Sequence, residues 1–284
     1  QYHLEALEAA GAIERLPGVS FQSADAFGNY EWSARVTLRS FNQNQLGFTL
    51  DGVPLGDMSY GNHNGLHISR AIISENVSRV DVAQGSGALG TASSSNLGGT
   101  IQFLSRRPAE AFGVDVAGTY GDESTMRGLI RLDTGELFGP DSLRASLSYV
   151  NQQGDNWKGV GEQKQQQINF NAVLPIGRGQ LYGFVNHSER RENDYQDMSL
   201  EQIGRLGRDW DNIWGDYALA VRIADIYQAN PGGDCPQLGG GTGANSYPGG
   251  VGCVDDAYFN AAGLRHDTLA PLTFSFPITH ALVV

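Results

Sequence analysis

Leu50-Asp51-Gly52-Val53-Pro54 opens the part of the sequence that decides the fold, and Val77-Ser78-Arg79-Val80-Asp81-Val82 and Gly98-Gly99-Thr100-Ile101-Gln102-Phe103 follow it. Asp51-Gly52 predicts a tight turn between two strands, because both residue types accept a positive φ. The two later segments have the composition of strands, and a stretch of small residues at 85–99 lies between them. We therefore predict a compact α+β unit over residues 1–108.

A different pattern begins after this unit. From residue 112 onward apolar and polar residues alternate, which gives each segment one apolar face and one polar face. Segments of this kind occupy 114–120, 126–132, 143–149, 168–174 and 180–186. The connections at 138–141 and 175–178 are short, whereas those at 151–165 and 188–267 are long. A soluble sandwich would also alternate, but short turns on one side and long loops on the other favour a bacterial outer-membrane β-barrel.

The composition excludes several classes of protein. The chain has 284 residues, of which 38 are glycine and 18% are charged, and it has no apolar run near the length of a membrane helix. Its net charge of −12 argues against a nucleic-acid partner, because phosphates require a basic surface. The sequence also lacks the residue spacings of a catalytic triad or a metal site. We therefore predict no enzyme activity, no cofactor and no bound metal.

Two cysteines, Cys235 and Cys253, lie in a stretch rich in glycine and proline. No Cys-x-x-Cys spacing accompanies them, which argues against zinc. A Cys235–Cys253 disulfide that closes this loop is the prediction, with two free thiols as the alternative. Such a bond would contribute roughly 3 kcal/mol through loop entropy. It would also place the loop in an oxidising compartment.

The order of several segments identifies a family resemblance. Leu16-Pro17-Gly18-Val19, Val36-Thr37-Leu38-Arg39-Ser40-Phe41, Thr49-Leu50-Asp51-Gly52-Val53-Pro54, residues 77–85 and Gly98-Gly99-Thr100-Ile101 follow one another as in the plug domain of TonB-dependent outer-membrane receptors. The resemblance covers residues 4–108 strongly and 112–284 more loosely. The chain departs from it at Ser40, where the family has glycine, and at Gln84, where the family has arginine.

This resemblance implies an α+β plug domain inside a transmembrane antiparallel β-barrel. The plug would occupy residues 1–108, with its N-terminal part missing, and the start of the barrel would occupy 109–284. The complete barrel would have about 22 strands, of which about five to seven fall in this chain. A long structured extracellular loop is expected at about 188–267. Arg39 and Asp81 match the family at positions where plug and barrel make charged contacts.

The resemblance also implies a function. TonB-dependent receptors import a large scarce nutrient, most often a ferric siderophore, across the outer membrane of a Gram-negative bacterium. The implied partners are the TonB energy-transducing complex, the nutrient ligand and outer-membrane lipid. Uptake of a carbohydrate or another non-iron ligand is one alternative, and a non-transporting surface barrel or adhesin is another.

Two plug loops are candidates for ligand contact by their position. Aromatic side chains there would offer flat contact area with a polar tip. The alternative is that these rings pack the plug against the barrel wall. The candidate ligand-binding residues are Tyr30, Trp32, Asp57, Met58, Tyr60, Asn62 and His63.

Overall fold

The computed structural model describes residues 16–23, 28, 30–56, 65–85, 91, 93, 96–211, 213, 215–231, 245–248, 251–256 and 262–277. Within these ranges, no helix combines the length and the apolar character that crossing a membrane requires.

The described residues between 16 and 105 include two small sheets and a short α-helix. The first sheet is antiparallel, with β1 (Val19–Gln22), β2 (Arg35–Leu38) and β3 (Phe41–Asn42). The second sheet runs β5-β4-β7-β6, from β4 (Leu46–Leu50), β5 (Val53–Gly56), β6 (Val77–Gln84) and β7 (Gly99–Ser105). Helix α1 (Ile68–Ala71) lies between β5 and β6 along the chain. We call this part the plug.

The predicted turn at Asp51-Gly52 is confirmed and joins β4 to β5. Both residues have positive φ angles, 49° and 82°, in the left-handed region that Asp and Gly tolerate best. The Asp51 carboxylate also accepts a hydrogen bond from the backbone N–H of Ser105 at 3.0 Å. The turn therefore fixes β4, whose parallel neighbour β7 completes the buried centre of the sheet.

The strands described after the plug form one antiparallel sheet, which we call the wall. Its strands are β8 (Phe112–Tyr120), β9 (Met126–Thr134), β10 (Arg144–Asp155), β11 (Glu162–Ile176), β12 (Gly179–Asn193), β13 (Ala262–Leu269) and β14 (Leu272–Ser275). Neighbours in sequence are neighbours in the sheet from β8 to β13. Strands β13 and β14 pair with different halves of β12. They form two parts of one strand, interrupted next to Pro271, which has no N–H to donate.

The two faces of the wall have opposite character. Arg131, Ser148, Asn171 and Arg190 are at most 1% exposed on the face toward the plug. Apolar side chains point the other way, and Val116 is 75% exposed. A soluble sandwich would bury its apolar face. Polar residues inside and apolar residues outside are the arrangement of a membrane barrel.

The connection between β12 and β13 spans 194–261, because both strands extend further than the sequence pattern indicated. It contains α2 (Leu200–Leu206) and α3 (Tyr217–Ala229). Ile213, Ile223 and Val251 belong to a small hydrophobic core of its own. The connection therefore has a folded core that is separate from the wall.

Asp256 is fully buried and links separate segments of this connection through hydrogen bonds. It accepts hydrogen bonds from the Arg205 guanidinium at 2.6 and 3.0 Å and from the backbone N–H of Gly252 at 2.9 Å. Burial alone would raise the pKa of Asp256, but these donors lower it. Cys253 is buried and is not a free thiol. Cys235 lies outside the described residues, so the disulfide between them stays a prediction.

The tight packing of the plug generates one test. A methyl group at Gly98 would overlap the side chains of Phe41 and Leu46. We expect Gly98→Ala to lower the free energy of unfolding by about 1–3 kcal/mol through overpacking. The matched control is Gly128→Ala, where the new methyl group meets nothing within 4 Å. Urea unfolding of the complete receptor, followed by tryptophan fluorescence, measures both. Equal effects of the two substitutions would contradict the packing.

Candidate functional site between the plug and the wall

Amide side chains of the wall hold the backbone of the plug around α1. The Gln165 amide donates to the carbonyl oxygen of Ser69 at 2.7 Å, and the Asn186 amide donates to that of Arg70 at 2.9 Å. Both amides come from inward-facing positions of β11 and β12. A short helix leaves carbonyl groups without intrahelical partners. The wall satisfies these carbonyls in the place of water.

Asn76 connects the same plug segment to three strands of the wall. Its Oδ1 accepts from the Arg131 guanidinium at 2.7 Å and from the Ser148 hydroxyl at 3.1 Å, while its Nδ2 donates to Asn169 at 3.2 Å. Arg131 is fully buried and also forms a bidentate pair with Asp133, at 2.8 and 2.9 Å. The charge of Arg131 is therefore neutralised by Asp133 within the wall, independently of the plug.

A buried ion cluster joins the plug to β12 and β13. Glu31, fully buried, lies 3.1 Å from Arg70 and 3.8 Å from Arg190. Arg190 pairs with Glu192 at 2.9 Å. Three arginines and three carboxylates balance one another in this cluster, which consists of Arg70, Arg190, Arg265, Glu31, Glu192 and Asp267.

The charges in this cluster control the titration of its members. Burial alone would raise the pKa of Glu31, but its positive neighbours and a hydrogen bond from the Ser69 hydroxyl, at 2.7 Å, hold it at about 2 against an ordinary 4.5. Burial lowers the pKa of His67 to about 4 against an ordinary 6.5; the Glu31 carboxylate opposes this shift, and the nearby arginines add to it. At neutral pH the cluster therefore contains a carboxylate and a neutral imidazole.

Trp32 is part of the contact between plug and wall. Its indole N–H donates to Glu192 at 2.9 Å, and the residue is 7% exposed. The Arg265 guanidinium lies 5.0 Å from the ring centroid, within cation–π range. The His67 ring approaches it edge-on at 5.7 Å. This burial favours the packing alternative for Trp32, and its ligand contact stays a prediction.

Tyr30 contacts Tyr195, which in turn contacts Trp157, and the sequence did not indicate either of these two residues. Its ring lies edge-on to Tyr195 at 5.0 Å, and Tyr195 lies 6.0 Å from Trp157, which is 45% exposed. The ammonium of Lys158 is 5.7 and 5.8 Å from the latter two rings. We call Tyr30, Trp157 and Tyr195 the aromatic cluster. The signal that could have found them is a large aromatic side chain beside each long connection.

The remaining predicted site residues have different positions. Arg39 is exposed in a turn, with a φ of 49°, and its backbone N–H donates to the carbonyl oxygen of Gly18. Asp81 pairs with Arg79 on its own strand at 3.0 Å. The plug–barrel contacts proposed for both stay predictions. Outside the described residues lie Asp57, Met58, Tyr60, Asn62 and His63.

In the part of the chain that the structure describes, no group of three or more His, Cys, Asp or Glu side chains is arranged to hold a metal ion.

The buried histidine predicts a pH dependence of stability. Between about pH 6.5 and about pH 4 the unfolded chain protonates His67 and the folded protein does not, so acidification destabilises the fold. Glu31 adds a loss of the same sign from about 4.5 down to about 2. We expect His67→Asn, which keeps hydrogen-bonding atoms next to Ser69, to flatten the upper window by up to about 1.4 kcal/mol per pH unit.

Urea unfolding of the complete receptor between about pH 7 and about pH 4 measures this slope. The control is His187→Asn, because His187 is exposed on the outer face of β12. An unchanged slope in His67→Asn would show that this histidine is not held neutral.

Comparison with known proteins agrees with the geometry. Residues 4–100 match the family model described as the TonB-dependent Receptor Plug Domain. No curated protein sequence matches the chain.

Solved structures share the fold at low sequence identity. FpvA of P. aeruginosa, in complex with a heterologous pyoverdine and iron, is 19% identical over 65% of this chain and 23% of its own, with a TM-score of 0.52. The ferric-catecholate import receptor Fiu of E. coli K12 is 16% identical over 95% of this chain and 34% of its own, with a TM-score of 0.54. The ferric yersiniabactin uptake receptor FyuA of Yersinia pestis is 16% identical over 65% of this chain and 29% of its own, with a TM-score of 0.50.

The chain thus spans about a quarter to a third of the length of these structures. At such identities the likeness concerns the fold, and the family match covers the plug. Together with the observed sheets, these findings show that a TonB-dependent receptor plug domain, matched at residues 4–100, precedes a sheet of antiparallel strands in this chain.

Proposed function

We propose that this chain belongs to a receptor that imports a ferric siderophore across the outer membrane of a Gram-negative bacterium, driven by the TonB complex. The observation that carries the proposal is the buried contact between the plug and the polar face of the wall, where Arg70 pairs with Asp267, Glu31 with Arg190, and Trp32 donates to Glu192. The apolar outer face supports a lipid environment. In the complete barrel a plug seated in this way would block the lumen, so the ligand could pass only after the plug moves.

The energetics explain why such movement needs an energy source. Separating one partner from a buried ion pair costs about 3–5 kcal/mol, because the other charge stays buried without compensation. The buried pairs that such movement separates are Arg70 with Asp267 and Glu31 with Arg190. Without another energy source, the free energy of ligand binding would have to offset this cost as well as the entropy lost in ordering the ligand. Work supplied through TonB removes that requirement, and the receptor itself needs no covalent chemistry.

The aromatic cluster is the proposed reception site for the ligand. The exposed ring of Trp157 and the half-buried rings of Tyr30 and Tyr195 offer flat surfaces with polar edges. Such surfaces suit the planar iron-chelating groups of a siderophore. The structurally similar proteins are described as receptors of a pyoverdine, of ferric yersiniabactin and of a ferric catecholate. These descriptions support a siderophore as the ligand class.

Uptake measurements test the proposed function. A strain lacking the complete gene should lose accumulation of radioactive iron from at least one ferric siderophore, and the complete gene should restore it. A proton uncoupler should abolish the restored uptake, because TonB draws on the inner-membrane proton gradient. Accumulation that persists with the uncoupler would refute the coupling. Restored growth on a carbohydrate alone would point to the non-iron alternative.

A substitution in the aromatic cluster tests the ligand site. We expect Trp157→Ala to weaken binding of the imported ferric siderophore roughly three- to tenfold, in line with the loss of one aromatic contact. The control is Tyr149→Ala, because Tyr149 is 39% exposed on the outer face of β10. Binding to whole cells under uncoupled conditions separates affinity from transport. Equal affinity of the two variants would place the ligand elsewhere.

A further inference from the structure

The outer face of β11 is divided into an apolar part and a polar part. Its outward side chains are apolar from Ile168 to Ile176. From Gln166 to Glu162, toward the long connections, they are polar, and Lys164 pairs with Glu162 there at 2.7 Å. An apolar phase therefore suits one part of this strand, and water suits the other.

The division lies at a different height on neighbouring strands. β-sheet pairing places four outward-facing side chains in one row across the wall: Met126 of β9, Gln153 of β10, Lys164 of β11 and Arg191 of β12. Strand β9 is still apolar at this row, whereas the other three strands are polar there. On β10 the apolar part ends at Tyr149, and on β12 it ends at Val185. The boundary therefore crosses the strands diagonally.

The slope of this boundary matches the tilt of strands in a membrane barrel. From Arg191 in the row to Val185, the boundary drops about 20 Å along β12, at about 3.4 Å per residue. Strands β9 and β12 are three strand spacings apart, or about 14 Å. A plane crosses the strands with this slope when they are tilted by roughly 50° from its normal. Because outward positions recur only every ~7 Å, this agrees with the tilt of about 35–45° in membrane barrels.

The height of the apolar part fits the same plane. The stretch from Ile168 to Ile176 covers about 30 Å along β11. At a tilt of about 45–50° this is about 20 Å perpendicular to the plane, against about 25 Å for the apolar band of membrane barrels. Beyond Ile176 the chain turns at Gly177, and Arg178 is exposed. A layer of acyl chains has two parallel boundaries of this kind, whereas the footprint of a protein partner need not be planar.

The plane also accounts for the short connection between β8 and β9. This turn lies on the side of the long connections, since the backbone N–H of Asp155 donates to the carbonyl oxygen of Glu123 at 2.7 Å. The outward residues that flank it, Tyr120 and Met126, are 79% and 49% exposed. The hairpin therefore ends at the boundary, while β10–β12 continue past it.

We propose that the boundary between the acyl chains and the hydrated headgroups of the bilayer runs diagonally across the wall, from the β8–β9 turn to a point between Val185 and His187 on β12. This inference rests on the proposed function as an outer-membrane receptor. It places Arg190 and Glu192, and with them the ion cluster, outside the acyl-chain layer. Arg131 of β9 lies at the level of the acyl chains, since its outward neighbours are apolar.

Spin labels on single introduced cysteines test this boundary in the complete receptor, reconstituted in dioleoylphosphatidylcholine vesicles. Power saturation compares collisions with oxygen, which enters hydrocarbon, and with a hydrated nickel complex, which does not. We expect the oxygen-to-nickel ratio to be roughly tenfold higher at Met126→Cys than at Lys164→Cys and Arg191→Cys, although the three positions share one row. Val185→Cys is the matched control on β12 and should resemble Met126→Cys. The receptor without introduced cysteines controls for labelling of native ones.

The other outcomes overturn the proposal. Equal ratios at Met126→Cys and Arg191→Cys show that the boundary does not cross the strands diagonally. Nickel access at Val185→Cys shows that water covers this face, and exclusion of both probes there shows that another protein does. If a labelled variant does not insert, Ile130→Cys and His187→Cys, which also share a row, replace the pair. A receptor that has this boundary and imports no ferric siderophore contradicts the proposed function alone, so the two failures are distinguishable.

Discussion

Charge compensation in a buried interface is the constraint on which the rest of the structure depends. The wall turns arginine and glutamate side chains inward, and the plug removes them from water. A buried charge is tolerated only with a partner. Glu31 and Arg70 of the plug and Arg190 and Glu192 of the wall therefore have to meet in one register. This requirement fixes where the plug sits, because a shift along the strands would separate the pairs that cross the interface, Glu31 with Arg190 and Arg70 with Asp267.

The neutral hydrogen bonds around α1 have a different energetic role. A net contribution of about 1 kcal/mol is usual for one such bond, because water can replace either partner. Gln165 and Asn186 can therefore release the plug carbonyls to water at little cost. The ion cluster cannot be released so easily. A plug held by both kinds of contact is positioned by its charges, and its polar surface remains ready for solvent when part of it moves.

The sequence predicted the strands and turns of the fold better than the contacts between them. Alternation with a period of two marked the wall strands, and Asp51-Gly52 marked the first turn, because both signals are local. Trp32 and Glu192 are 160 positions apart, and no local pattern indicates their hydrogen bond. The contact between Trp157 and Tyr195 was not predicted for the same reason, since each residue lies beside a loop without periodicity. The wall strands beside the long connection also extended further than predicted, because polar residues continue to pair there.

The short 3-10 turn Glu31–Ser33 of the plug connects the aromatic cluster with the ion cluster. Tyr30 caps the turn Glu31–Ser33 and touches the aromatic cluster, whereas the next residue, Glu31, enters the ion cluster. Consecutive Cα atoms are held about 3.8 Å apart by the peptide bond. A ligand that displaces Tyr30 therefore also strains the contacts of Glu31 with Arg70 and Arg190. Under the proposed function, occupancy of the reception site and seating of the plug are coupled through a single peptide unit, without a longer path through the protein.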